Sequence, residues 1–275
     1  MKILGIDIGG TNIKFALQDN GKIIDSGKIP SQGKLGGKKV LENIYSICDK
    51  YDFDYLGVST PGLVGFKGEI VYMMDNIPNY TGTPLKQLLE KKYKVKVAVL
   101  NDIYAAACSE ISSKNKDFYF IALGTGIGGA LVADGKIFTG ANLFAGQIGS
   151  LMSLDGKTTL DYTASVQGLV SLSKDSPIQL FAKANKGDKK AKATLNKWAK
   201  EVTNFIKMVI AFVDPKTIIL SGGVTKQGNR LIKLLKDNMK SFPPTYNHPI
   251  NLVIANHNEF AGAVGAIKFA QNKFK

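Results

Sequence analysis

One pattern occurs twice in this chain, and its recurrence restricts the possible folds more than any other feature. A strand, a glycine-threonine turn and a second strand run through GIDIGGTNIKFAL at 5–17 and again through ALGTGIGGALVADGKI at 122–137. In each copy a short turn, Asn20-Gly21 or Asp134-Gly135, leads on to a third strand. Strands are predicted over 2–8, 12–18 and 22–29, and over 118–139 in the second copy. GTGIGG at 124–129 does not read as a dinucleotide fingerprint, because that version opens a helix and ALVADGKIF continues in strand periodicity. Taken alone, either turn is equally a tight bend that needs glycine for its dihedrals. Two matching hairpins predict two similar lobes facing each other across a cleft, with one nucleotide held between their turns.

Between the hairpins the period changes. A helix is predicted over 37–50, a strand over 54–59, and a helix ending at Tyr93 that Thr83 caps and Pro84 opens. The strand VKVAVL delivers Asn101 and Asp102 to the start of another helix. Trp198, Val202, Phe205, Ile206, Val209, Ile210 and Val213 recur at helical spacing and mark a long core helix. TIILSGGV at 217–224 is a buried strand entering a Gly-Gly turn. The segment 258–274 closes the chain as a helix with Gly262, Ala263, Gly265 and Ala266, small residues that suit a hinge between lobes.

Composition removes several alternatives. The formal charge of +14 would attract polyanions, but Arg230 is the only arginine, and base-edge and bidentate phosphate recognition rely on guanidinium forks. The lysines read as solvated helix faces, so no nucleic-acid partner is expected. Cys48 and Cys108 cannot build a disulfide framework or a thiolate cluster, and His248 and His257 receive no metal role. No apolar run approaches the ~20 residues that span a bilayer, so the expectation is a cytoplasmic protein with no membrane partner.

Asp7 stands two residues before Gly9, with Gly10 and Thr11 following. A carboxylate beside a phosphate turn is repulsive unless a divalent cation lies between them, which makes Asp7 the candidate Mg²⁺-side residue. Its alternative is a strand-end carboxylate accepting turn amides. Asn101 and Asp102 are each good helix caps. At the end of a buried strand facing the inferred cleft, however, Asp102 is the candidate general base for a substrate hydroxyl, with Asn101 orienting the substrate. A base near the acceptor, with metal and amides on the phosphates, is the minimal equipment of phosphoryl transfer.

These residues, with STPGLVG (59–65), DNIPNYTGTPL (75–85), LNDIYAAA (100–107), FAGQIGS (144–150) and ILSGGV (219–224), resemble the ROK family of sugar kinases and sugar-responsive repressors over nearly the whole chain. The resemblance implies an α/β protein with the actin-like, ribonuclease H-like duplicated ATPase fold, the two lobes surrounding a nucleotide and sugar cleft. It also implies ATP with Mg²⁺, a sugar phosphorylated usually at its 6-hydroxyl, and a homodimer. Residues 1–114 plus 259–275 would form the small lobe and 115–258 the large one. By position, Asp7, Gly9, Gly10 and Thr11 fall on the first phosphate motif, Gly124, Thr125 and Gly126 on the second, and Gly222 and Gly223 on the adenosine motif. Asn101 and Asp102 match the sugar-orienting asparagine and catalytic aspartate, and Gly62 and Asn76 lie in loops that line the sugar pocket.

Three positions depart from the family pattern. Gln147 and Ser150 stand where a glutamate and a zinc-binding, sugar-contacting histidine are usual, and Asp161 corresponds to a later sugar-binding glutamate. LMSLDGKTTLDYTAS replaces the cysteine-rich loop, so no structural zinc is expected. Gln147 keeps an acceptor, adds a donor and removes a charge, which alters the preferred hydroxyl or substituent. The altered pocket also suits a noncatalytic sugar sensor. Its DNA-binding form is disfavoured because no helix-turn-helix fits before the strand at Lys2.

Overall fold

The computed structural model describes residues 1–73, 76–239, 250–256 and 259–274. They form two compact units, the first holding Met1–Ser113, Thr139–Phe144 and Asn256–Lys275, the second Lys114–Phe138 and Ala145–Ala255. The loop Thr139–Phe144, assigned to the large lobe by the sequence reading, groups with the first unit. His248 and His257 lie outside the described residues. Among the described residues no helix is long and apolar enough to cross a membrane.

In the first unit β1 (Lys2–Ile8), β2 (Asn12–Asp19) and β3 (Lys22–Pro30) form the predicted meander. Then follow α1 (Gly37–Cys48), β4 (Tyr55–Thr60), the two-stranded β5 (Leu63–Val64) and β6 (Ile70–Tyr72), α2 (Leu85–Tyr93), β7 (Lys96–Asn101) and α3 (Asp102–Ser109). The sheet order is β3-β2-β1-β4-β7, antiparallel through the meander and parallel from β1 onward. Pro84 does not open α2: its ψ of 61° lies outside the helical region, so it becomes the cap and the helix starts at Leu85.

The second unit repeats this arrangement. Here β8 (Phe118–Leu123), β9 (Ile127–Ala133) and β10 (Lys136–Phe138) form the meander. Next come α4 (Leu160–Thr163), α5 (Val166–Ser171), α6 (Pro177–Asn185), α7 (Lys189–Val213), β11 (Thr217–Ser221), α8 (Asn229–Met239) and β12 (Asn251–Ile254). The order β10-β9-β8-β11-β12 has the same succession of antiparallel and parallel pairs as the first sheet. The predicted core helix is α7. Trp198 on it is fully buried, and its Nε1–H donates to the carbonyls of Ala164 and Ser165 at 3.0 and 2.9 Å.

The final helix, α9 (Ala261–Phe274), belongs to the first unit. Gly5 and Gly57 face each other across β1 and β4, and a Cβ on either would collide with the carbonyl of Ala263 or Ala266. Gly265 similarly approaches the Ala105 carbonyl on α3. The small residues of α9 are therefore used to seat it on the first sheet and on α3, carrying backbone to backbone distance too short for side chains.

Candidate active site

The first glycine turn is shaped by contacts that leave its amides outward. Gly9 N–H donates to the Asn12 carbonyl at 2.9 Å, an approach that a Cβ at Gly9 would obstruct. Ser31, fully buried, holds the turn from the far side: its N–H donates to the Thr11 carbonyl at 2.9 Å and its hydroxyl to the Gly10 carbonyl at 2.8 Å. With both carbonyls occupied, the exposed amides of Gly10 and Thr11 engage no acceptor among the described residues. Two successive free N–H groups of this kind are an anion-binding feature.

Asp7, the penultimate residue of β1, lies beside this turn, but among the described residues its carboxylate does not cap the turn amides. Oδ1 accepts the buried Ser59 hydroxyl at 2.7 Å, a partner supplied by the parallel register that sets Asp7 opposite Ser59. The carboxylate occupies the space in front of Gly262, near the start of α9, where a Cβ would meet it. Burial raises its pKa, opposed by the Ser59 hydrogen bond and the charge of Lys14, its cross-strand neighbour.

Asn101 and Asp102 share the first free amide of α3 and differ in what else they reach. Asn101 is the cap of α3: its Oδ1 accepts the Ile103 N–H at 2.9 Å while its Nδ2 donates to the Gly62 carbonyl at 3.0 Å. It thereby joins the loop after β4 to the helix start and keeps one lone pair and one hydrogen to spare. Asp102 is the first helical residue, and its Oδ1 also accepts the Ile103 N–H at 2.9 Å. Burial and then the nearby Asp7 charge push its carboxyl up to about 6. Among the described residues no contact brings Asn76 to this group; it is an exposed turn residue whose chain runs beside Gly33.

In the second unit Gly124 N–H donates to the Gly126 carbonyl at 3.0 Å, and the exposed amides of Thr125 and Gly126 engage no acceptor among the described residues. Gly222, with φ of 106°, packs directly on the Leu123 carbonyl, so the Gly222-Gly223 bend adjoins this turn at the ends of parallel strands β8 and β11. That is where open α/β sheets bind ligands. Ser150 donates its hydroxyl to the Gln147 carbonyl at 2.8 Å. The Asp161 Oδ1 accepts the Ile127 N–H at 2.8 Å. Ser31, Ser59 and Gly262 were missed by the sequence reading. Ser59 alone carried a local signal, its place at the end of a buried strand.

A topology used twice, a glycine turn with free amides in each unit and paired carboxylates at the strand ends of the first define the class: an actin-like ATPase with a duplicated fold. The chain belongs to the ROK family, whose model matches residues 3–273. It is similar to a glucokinase of Halalkalibacterium halodurans, 29% identical with 95% of this chain and 92% of that one covered. An N-acetylmannosamine kinase of Pasteurella multocida is 26% identical, with 97% and 95% covered. Among solved structures, the ROK hexokinase from Thermus thermophilus has a TM-score of 0.87 at 25% identity, covering 99% of both chains.

Proposed function

We propose that this ROK sugar kinase transfers the γ-phosphate of ATP to the 6-hydroxyl of a hexose or hexose derivative. Asp102 accepts the hydroxyl proton as the sugar oxygen attacks phosphorus in line; the new O–P bond forms as the bond to the β-phosphate oxygen breaks and ADP leaves. A pKa of about 6 leaves this base mostly ionised at neutral pH, yet basic enough to take a proton. The free amides of Gly10 and Thr11, and those of Thr125 and Gly126, donate to phosphate oxygens, while the Gly222-Gly223 bend, seated on the Leu123 carbonyl beside the second turn, lies on the adenosine side. Asn101 orients the sugar, and Gly62, Asn76, Gln147, Ser150 and Asp161 belong to the segments that select it.

The donor set suits Mg²⁺. Among the described residues no group of three or more His, Cys, Asp or Glu converges, so a cation here would rest on Asp7, with Asp102 adding negative field. One or two carboxylates plus waters and substrate phosphates are what Mg²⁺ accepts. Bound there, it would neutralise charge developing on the transferred phosphoryl group. Ser59 and Gly262 keep the Asp7 carboxylate in place for it.

The observation that carries this reading is the half-buried Asp102 carboxylate at the start of α3, its pKa raised by desolvation and by the charge of Asp7, with Asn101 sharing the Ile103 amide so that Asp102 is not its sole acceptor. It is tested with a panel of hexoses, amino sugars and glucosides in a coupled ADP-release assay, with and without Mg²⁺. Turnover of at least one sugar, abolished by Asp102→Ala while sugar binding persists, is expected. Sugar binding without turnover across the panel would replace the kinase with a sensor. The reading includes a cytoplasmic homodimer, checked by sedimentation.

A further inference from the structure

Asp161 is expected from the family resemblance to touch the sugar, yet its carboxylate is turned onto the second glycine turn. Its Oδ1 accepts the N–H of Ile127, the residue that leaves the turn for β9. Two glycines make space for it: a Cβ on Gly149 or on Gly126 would press against the same oxygen. The backbone around Asp161 is fastened as well. Its carbonyl accepts the Ser165 hydroxyl, and the following Val166 N–H donates to the Gly124 carbonyl at 2.9 Å. Residues 161–166 thus hold the turn at both ends and leave the amides of Thr125 and Gly126 between them without acceptors among the described residues.

The charge makes this arrangement informative. A carboxylate next to amides that are to receive phosphate repels the ligand, so its presence needs a compensating function. Removing the Ile127 amide from the set of available donors restricts anion binding to two neighbouring amides and fixes their direction. Through Gly149 the same carboxylate also touches the turn Ile148–Ser150, which follows Gln147.

We propose that Asp161 is a positioning residue of the second phosphate turn, fixing the Thr125 and Gly126 amides for the nucleotide while resting against the Gln147–Ser150 segment. The proposal rests on the kinase reading, and it departs from a direct sugar contact by this side chain.

The test uses the full chain and three variants, Asp161→Ala, Asp161→Asn and Gly149→Ala. AMPPNP binding is measured by titration calorimetry, and KM values for ATP and for the best sugar of the panel by ADP release. Loss of the charged acceptor in Asp161→Ala is expected to weaken AMPPNP binding about tenfold or more while the sugar KM changes less than about twofold. Asp161→Asn keeps an acceptor oxygen of the same shape and is expected to recover most of the nucleotide affinity. Gly149→Ala, which displaces the carboxylate, is expected to behave like Asp161→Ala. Should Asp161→Ala fail to fold, the other two variants carry the comparison.

A raised sugar KM in both Asp161 variants, with AMPPNP binding unchanged, overturns the proposal and makes Asp161 a sugar ligand. Wild-type AMPPNP affinity in all three variants overturns it equally. If the unaltered protein binds AMPPNP but phosphorylates no sugar, the kinase reading fails and calorimetry alone still decides the role of Asp161.

Discussion

Replacing Asp102 with asparagine separates a catalytic charge from a structural cap, because the two roles predict opposite changes in stability. Burial, followed by the charge of Asp7, moves this carboxyl from its ordinary 3.8 up to about 6. Between those values the folded protein holds a proton that the unfolded chain has released, so stability falls as pH rises through the window and stays lowered above it. The gap corresponds to about 3 kcal/mol at neutral pH. Asp102→Asn removes the charge and keeps an oxygen for the Ile103 amide. It is therefore expected to stabilise the protein by up to about 3 kcal/mol at pH 7.5 and by almost nothing at pH 4, where the native side chain is already neutral. The rate should move the other way, with kcat reduced by about 10²- to 10⁴-fold. In the unaltered protein, kcat/KM should decline below pH 6 and be roughly tenfold lower at pH 5 than on its plateau. Urea unfolding at pH 7.5 and 4.0, with ADP release followed from pH 5 to 8.5, reads both effects. An acid limb near pH 4, or a variant equally destabilised at both pH values, would refute the reasoning and return Asp102 to a purely structural place at the start of α3.

Four further changes test the surroundings. Ser59→Ala removes the hydroxyl that holds Asp7, raising the Asp7 pKa further, so the Mg²⁺ concentration for half-maximal rate should rise severalfold; an unchanged Mg²⁺ titration would dismiss the contact. Gly262→Ala and Gly265→Ala, on the same helix, should differ in kind. The first pushes only the movable Asp7 carboxylate and should lower kcat with little change in melting temperature. The second drives a Cβ into the Ala105 backbone and should cost about 1–3 kcal/mol in urea unfolding. Trp198→Ala deletes a fully buried ring and its two hydrogen bonds to the Ala164 and Ser165 carbonyls, and is expected to cost about 3–5 kcal/mol, read by the same unfolding.

The meanders were legible because their signals are local. A period of two on either side of a glycine-threonine bend needs no distant partner, and the predicted strands of the first unit end within a residue or so of the observed ones. The arrangement at the strand ends was legible only in part. Asp7, Asn101 and Asp102 stand where the chain leaves a buried strand, but both Asn101 and Asp102 reach the Ile103 amide, and what distinguishes Asn101 is the Gly62 carbonyl brought in by a parallel neighbour. Ser31, just past β3, and Ser59, near the end of β4, are ordinary serines until the fold places one behind Gly10 and Thr11 and the other beside Asp7.

Glycine shows where such a reading can be extended. Near a turn it reads as punctuation, and Gly21, Gly135 and Gly222 do have positive φ. Gly5 and Gly57 lie inside strands, where glycine weakens the element and marks the close approach of another backbone. The segment AGAVGAIKFA at 261–270 presents the complementary surface, small residues on a helix. Taken together, the two patterns imply that this helix lies directly across the first sheet, which is the contact the carbonyls of Ala263 and Ala266 make. The same docking sets Gly262 against Asp7 and Gly265 against the helix that begins with Asp102. Both carboxylates are therefore placed by a segment far along the chain, so changes in how α9 seats should reach activity without any contact to substrate.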